Sequence, residues 1–249
     1  MDLEGNWKRI KAHRDKLLES EISGLAKVLY RGQEDWLCEK LRIKGDVPLV
    51  LEFLGHLGQS GSFKAVDALL QLLDAREDVM QVAVAEALKR CPSSMVLGPL
   101  VQRLQEQKYS SVKAGEILLS FGPEGAFAIW RLWFGEGRPS SLRSQILQLL
   151  AEAKDARTEA LAFLAFLSDE EELIRIALKA AENVEAKSLW GNVAECLKNT
   201  SWRVRGGAAQ LLGKWGEREA LAYLRDMGSD PDPWVEEERR NAMTLLSQL

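Results

Sequence analysis

Residues 204–216 are Val204-Arg205-Gly206-Gly207-Ala208-Ala209-Gln210-Leu211-Leu212-Gly213-Lys214-Trp215-Gly216, near the end of a 249-residue chain. Counted from Val204, the apolar or small residues of this block stand at offsets 0, 4, 5, 7, 8 and 11. Those offsets lie on one face of a helix with 3.6 residues per turn. The block therefore predicts an amphipathic helix that packs by its apolar face.

The same frame recurs along most of the chain. Seven frames begin 30 to 34 residues apart, at Asp46, Met80, Ser110, Leu142, Leu173, Val204 and Glu238. Leu150 and Leu212 both stand at offset 8, the most apolar position, so both are predicted to be buried.

Second amphipathic segments lie between the frames, each preceded by a turn or capping signal. They run roughly over 63–73, 95–105, 124–134, 157–167, 186–197 and 218–227. A helix pair with two apolar faces cannot bury both alone, so neighbouring pairs must stack. The composition agrees, because the chain has 40 leucines and 27 alanines but only three threonines and eight isoleucines. We expect at least twelve helices and no sheet.

These blocks resemble the HEAT repeats, especially their short bacterial form, over about residues 44–249. The resemblance is carried by Val204-Arg205…Leu211-Leu212-Gly213, Leu142-Arg143…Leu149-Leu150, Phe53-Leu54-Gly55…Leu57-Gly58 and the Asp230-Pro231-Asp232-Pro233 turn. It implies an all-α, right-handed superhelix of antiparallel helix pairs, of the armadillo type. Arginine follows the first frame position only at Arg143, Arg205 and Arg239, so any arginine–aspartate ladder between repeats is expected to be partial.

The predicted organisation is one continuous domain. Residues 44–249 would form six to seven repeats. Residues 1–43 fit no repeat and look like two helices, 3–19 and 22–42, that cap the first open face of the stack. A docking arm for a partner is the alternative interpretation of this segment.

Charge and cysteine usage favour a cytoplasmic protein. The formal net charge is −4, so no overall positive charge is available to hold nucleic-acid phosphates. The first 20 residues lack the apolar core of a signal peptide. The longest uncharged stretch, Cys91 to Gln102, is too short to span a bilayer. Cys38, Cys91 and Cys196 form no CxxC pair and are predicted to be buried, reduced thiols.

The residues offer little for catalysis. His13 and His56 are the only histidines, and no His-Glu dipeptide occurs, which excludes the ligand set of helical-repeat di-iron hydroxylases and a three-histidine zinc site. Neither a serine or cysteine triad nor a glycine-rich phosphate loop can be argued. We expect no enzyme, no cofactor and no metal.

Eight tryptophans are available as core residues or binding anchors. Trp215 shares its offset with other apolar residues, and Trp130, Trp133 and Trp190 lie on apolar faces, so these four are predicted to be core. Trp202 and Trp234 precede repeat helices, in turns, and are the candidate exposed anchors, since tryptophan is enriched at interface hot spots.

The resemblance also implies that the second helix of each pair lines a concave groove. Outward offsets then select Lys113, Gln145, Gln148, Arg175, Lys179, Gln210, Lys214, Arg240 and Asn241 as candidate partner-binding residues. Arg175, Lys179, Lys214 and Arg240 are expected to line one surface that suits an acidic partner.

The favoured function is a non-enzymatic scaffold that binds a protein partner through this groove. Two alternatives follow from fold analogy. One is nucleic-acid binding of the DNA-glycosylase kind, although residues 170–249 hold 11 Lys or Arg against 14 Asp or Glu. The other is a tetrapyrrole lyase or chaperone.

Overall fold

The computed structural model describes residues 63–73, 78–107 and 111–248, together with the single positions Gly5, Lys8, Ala12 and Leu54. The predicted N-terminal cap over 1–43 and the frame that begins at Asp46 lie outside the described residues. Cys38, His13 and His56 lie outside them as well.

The described residues form twelve α-helices and three short 3-10 helices, and no strand occurs among them. The α-helices are α1 (Phe63–Leu72), α2 (Asp78–Leu88), α3 (Ser93–Glu106), α4 (Ser111–Ser120), α5 (Pro123–Arg131), α6 (Ser140–Glu152), α7 (Thr158–Phe166), α8 (Glu171–Asn183), α9 (Trp190–Glu195), α10 (Trp202–Trp215), α11 (Ala220–Asp226) and α12 (Pro233–Ser247). The 3-10 helices are Leu132–Phe134, Lys187–Leu189 and Cys196–Lys198.

Every frame within the described part falls on an even-numbered helix, α2 to α12. The intervening amphipathic segments fall on the odd-numbered helices, α1 to α11, with 3-10 turns extending α5 and flanking α9. The predicted all-α fold of repeating helix pairs is thus confirmed.

Local sequence signals determine where α12 begins and where α10 ends. At the start of α12, the Asp232 carboxylate accepts hydrogen bonds from the backbone amides of Trp234 and Val235, at 3.0 and 3.2 Å. Pro233 occupies the first helical position, where its missing N–H costs nothing. Helix α10 ends at Gly216, whose φ of 75° is the left-handed conformation that glycine adopts readily.

Two compact units make up the chain, residues 1–128 and 129–249, and the division falls within α5. In the first unit, α3 packs against α4. Its core contains side chains from successive helices that are fully buried: Leu69, Leu88, Leu100, Leu104, Ile117 and Leu118.

The second unit holds α6 to α12, and α10 packs between α8 and α12. Leu150 and Leu212 are both 0% exposed, which confirms their predicted burial. Trp215 and Trp133 are buried as predicted, whereas Trp130 and Trp190 are half-buried. The repeat frame thus supplies the core of this unit.

Cys91 and Cys196 are buried and unpaired, as predicted for structural thiols. Burial raises the pKa of the Cys91 thiol. Burial, with the nearby Glu195 carboxylate, raises the pKa of Cys196 to about 12. Since the thiolate is the reactive form of cysteine, neither group is suited to act as a nucleophile at neutral pH.

Candidate functional site

An open cleft of about 370 Å³ lies on the second unit, between α8, α10 and the start of α12. We call it the C-terminal groove. Its floor is apolar: Leu178 of α8 and Leu211 of α10 are 5% and 3% exposed. Gly207 lies beside them, and a Cβ at this position would be 3.2 Å from Leu178 Cδ1. The groove floor is therefore a place where two repeat helices approach closely.

The repeat frame explains why polar residues stand above this floor. Leu178 and Leu211 occupy apolar positions of consecutive frames, while Arg175, Lys179 and Gln210 occupy outward positions between them. All three outward residues line the groove, and Lys179 and Gln210 are exposed. The same helical periodicity that buries the floor thus places these side chains on the walls.

Trp202 and Trp234 both line the groove and contact each other. Their rings are edge-to-face, with centroids 5.7 Å apart and an interplanar angle of 83°. They are 40% and 37% exposed. Contrary to the expectation that they lie in turns, Trp202 is the first residue of α10 and Trp234 the second of α12. Two aromatic rings from successive repeats therefore meet at the solvent surface.

Glycine and arginine hold this ring pair in place. A Cβ at Gly206 would lie 2.0 Å from Trp234 Cζ3, so only a residue without a side chain admits the ring here. The Arg203 guanidinium lies 4.7 Å from the centroid of the Trp202 ring, within the range of a cation–π contact. Arg203 thus covers one face of the Trp202 ring, and the Trp234 ring lies directly against Gly206.

Ion pairs engage most of the charged side chains around the groove. Arg175 binds Glu172 at 2.5 Å, and Arg203 is 3.6 Å from Glu171. From α10, Lys214 reaches across to Glu182 of α8 at 2.6 Å.

Lys179 differs from these residues. Its side chain is exposed, and its ammonium makes no hydrogen bond or ion pair with any residue that the structure describes. The groove therefore contains one unpaired positive charge beside an apolar floor and two exposed tryptophans.

Of the residues predicted from the sequence, Arg175, Lys179, Gln210, Trp202 and Trp234 line the groove together. Lys214 lies next to it through its contact with Glu182. The other predicted residues do not line it: Lys113, Gln145, Gln148, Arg240 and Asn241. Lys113 belongs to α4 of the first unit, Gln145 and Gln148 to α6, and Arg240 and Asn241 to α12.

Sequence reasoning missed Arg203 and Glu182 as groove residues. Glu182 and Lys214 are 32 residues apart, about one repeat, and occupy adjacent offsets of consecutive frames. Their opposite charges at this spacing could have indicated the contact. Arg203 precedes the first frame position of its helix, so no offset pointed to it.

No cluster of three or more His, Cys, Asp or Glu side chains that could hold a metal ion occurs among the residues with described positions. Nor is any helix in that part of the chain long and apolar enough to cross a membrane. The features that stand out in the second unit are the groove and its ring pair.

The geometry defines a helical-repeat protein with an open surface groove. Residues 160–244, which include most of the groove-forming helices, match the family model described as HEAT repeats. Over these residues the chain is thus similar to HEAT repeats, which confirms the resemblance seen in the sequence there. A search of curated proteins finds no match.

Solved structures similar to this chain include human deoxyhypusine hydroxylase, at 17% identity and a TM-score of 0.42, covering 94% of this chain and 92% of that one. An archaeal HEAT-like repeats protein from Thermococcus onnurineus NA1 is 13% identical with a TM-score of 0.46, covering 93% and 98%. A designed armadillo repeat protein in complex with the peptide (KR)4 is 16% identical with a TM-score of 0.33, covering 85% and 98%. Likenesses at this level imply nothing about what this chain binds.

Proposed function

We propose that this protein is a non-enzymatic scaffold that binds a segment of a protein partner in the C-terminal groove. The observation that carries the proposal is the contact between Trp202 and Trp234, both exposed, in the lining of an apolar-floored cleft. Single exposed apolar side chains are common on protein surfaces, but two exposed tryptophans in contact form an apolar patch, and tryptophan dominates the energetics of many interfaces.

The shape of the groove supports binding in preference to chemistry. At about 370 Å³ it lies near the lower end of the roughly 300–1,000 Å³ that small-molecule sites occupy. The cleft is open to solvent, since Lys179, Gln210 and both tryptophans are exposed. An open cleft does not enclose a small substrate, but it does accommodate an extended chain.

Helical repeats offer a rigid platform for such a segment. The floor residues Leu178 and Leu211 belong to the repeat core, and Trp234 is held against Gly206. A preformed surface costs little ordering entropy on binding, so a short segment can bind measurably.

The proposal is tested by selecting displayed random peptides on the full-length chain and measuring the affinity of the enriched peptides for variants. Trp202→Ala and Trp234→Ala should each weaken binding by about tenfold or more, the effect of losing a hot-spot contact of about 1.4 kcal/mol or more. Phe163→Ala is the matched control, because Phe163 is 41% exposed on α7 and does not line the groove. It should leave affinity unchanged.

Two results contradict the proposal. One is that selection on the original protein enriches no peptide beyond those enriched on a variant that lacks both tryptophans. The other is that the enriched peptides bind the tryptophan variants as tightly as they bind the original protein.

A further inference from the structure

We infer that the segment bound by the C-terminal groove is acidic and carries one large apolar side chain, with the carboxylates facing Lys179 and Arg175 and the apolar side chain against the Trp202–Trp234 pair. This inference rests on the proposed function and specifies the chemistry of the partner.

The charge of the groove favours an anionic segment. Arg175, Lys179 and Arg203 line it, against a single lining carboxylate, Glu182. That carboxylate already binds Lys214 at 2.6 Å. Glu172 and Glu171 pair with Arg175 and Arg203, so Lys179 is the lining cation that attracts a carboxylate and repels lysine and arginine most directly.

The existing ion pairs leave this attraction available. Lys179 has no ionic partner within the described residues. Arg175 directs one guanidinium nitrogen to Glu172, and a guanidinium has five N–H donors. The ion pair between Arg203 and Glu171 is long, at 3.6 Å, and the two side chains are 53% and 45% exposed. Exposed pairs of this kind contribute little free energy, so a carboxylate of the partner can compete for these cations.

The Trp202–Trp234 pair favours an apolar side chain in the bound segment, in addition to its carboxylates. Arg203 covers one face of Trp202, and Trp234 rests on Gly206. Both rings are still 40% and 37% exposed, and they line the same cleft as the buried floor residue Leu211. A leucine-sized or aromatic side chain can bury itself against these surfaces and gain the hydrophobic free energy of the contact.

The same geometry disfavours single-stranded nucleic acid as the occupant. Binding of unpaired bases relies on open aromatic faces in a positively charged groove that follows the phosphate backbone. Here the two rings are nearly perpendicular and each is backed on one side. Among the described residues only three cations line the cleft, within a segment that contains more acidic than basic residues. An acidic peptide fits both observations better.

Three fluorescent peptides test the inference by anisotropy on the full-length chain: an Asp/Glu-rich peptide with a central leucine, its Lys/Arg counterpart with the same leucine, and the acidic peptide with alanine at the centre. The acidic leucine peptide should bind about tenfold or more tightly than either of the others, and its affinity should fall as salt is added.

Variants assign the effect to the groove. Lys179→Glu should weaken binding of the acidic leucine peptide by about tenfold, and Lys179→Gln by less, because the first reverses a charge and the second removes it. Lys198→Glu is the matched control, since Lys198 is an exposed lysine of the same unit that does not line the groove. It should leave affinity unchanged. A thermal melt of each variant shows that folding is retained.

The outcomes separate the inference from the proposed function. If displayed peptides bind in a Trp202-dependent manner but are basic or indifferent to Lys179→Glu, the inference is overturned and the proposed function stands. If an oligothymidylate displaces the peptides and binds more tightly, the partner is a nucleic acid, and both the inference and the proposed binding of a protein segment are overturned. If no peptide binds the groove, both fail.

Discussion

The Arg205 guanidinium holds the Asp230 carboxylate in a two-point ion pair, with Nε–Oδ2 and Nη2–Oδ1 distances of 2.6 and 2.9 Å. The two side chains are 15% and 4% exposed. Arg205 also donates to the carbonyls of Asn199 and Thr200, at 2.9 Å each. One arginine thus ties the turn before α10 to the turn before α12, and so sets the position of the two groove tryptophans that begin those helices.

This pair is one rung of the arginine–aspartate ladder that the sequence predicted to be partial. Arg143 occupies the same frame position two repeats earlier, but its buried Nε makes no hydrogen bond within the described residues. Its guanidinium lies instead 5.9 Å from the centroid of the Trp133 ring. Arg239 binds Glu236 of its own helix.

Arg205→Ala should destabilise the protein by about 3 kcal/mol, because it leaves a buried carboxylate without its partner. Chemical denaturation monitored by circular dichroism measures this loss. Lys198→Ala is the control: it removes an exposed ion pair with Glu195 and should cost less than about 1 kcal/mol. Equal losses in the two variants would show that the Arg205–Asp230 pair is no stronger than a surface pair.

Stability should decline in acid. Ion pairing with Arg205 lowers the pKa of Asp230, and ion pairing with Arg239 lowers the pKa of Glu236 to about 2. A carboxyl group with a lowered pKa in the folded state binds protons more readily when unfolded. Its contribution is therefore complete above its unfolded pKa, about 4, and is lost as the pH falls toward the folded value.

The free energy of unfolding, measured by denaturation at a series of pH values, should fall between about pH 5 and pH 2. Glu236→Gln should make that decline shallower. Glu237→Gln, at an exposed neighbour with no ion pair in the described structure, should leave the slope unchanged. A Glu236→Gln profile parallel to that of the original protein would contradict the assignment.

Leu150→Ala and Leu212→Ala should each cost about 2–5 kcal/mol, since both side chains are fully buried and truncation leaves a cavity. Leu245→Ala, at a position that is 51% exposed on α12, should change stability by about 0.5 kcal/mol or less. Urea denaturation compares the three. A loss below about 0.5 kcal/mol at either buried site would mean that the repeat frame is misplaced.

Two glycines of α10 offer a matched pair. Alanine at either position gains helix propensity of about 1 kcal/mol. At Gly207 the new Cβ meets only the end of the flexible Leu178 side chain, at 3.2 Å, so Gly207→Ala should be neutral or stabilising. At Gly213 the new Cβ would be 2.9 Å from Ala242 Cα, so α10 and α12 must separate.

Gly213→Ala should therefore lower stability, because the strain of about 1–3 kcal/mol outweighs the gain in propensity. Thermal denaturation of the two variants measures the difference. A melting temperature that is equal or higher for Gly213→Ala than for Gly207→Ala would contradict the close approach of the two helices.

The helices and the core were predictable because both depend on local periodicity. Leu150, Leu212 and Trp215 are buried where the frame places them. Helical periodicity is a property of a single segment, so it can be counted along the sequence without knowing which helix packs against that segment. Trp202 and Trp234 were predicted as exposed anchors because they were expected to lie in turns; they are exposed, but they belong to the first turns of α10 and α12.

The groove itself was only partly predictable, because it depends on how neighbouring repeats face one another. Arg175, Lys179 and Gln210 were selected, but so were Arg240 and Asn241, which do not line the groove. The outward offsets identify which face of a helix is polar. They do not show which part of that face lines a groove. The contact of Trp234 with Gly206 joins residues 28 positions apart, and nothing local indicates it.

Photo-crosslinking shows where a partner segment binds, with a display-selected peptide that carries a photoreactive group at its apolar position and is bound to the full-length chain. We expect crosslinks, mapped by mass spectrometry, to α8, α10 and Trp234, and their loss in Trp202→Ala. Crosslinks confined to α6, α7 or the first unit, or crosslinks unchanged by Trp202→Ala, would contradict this expectation.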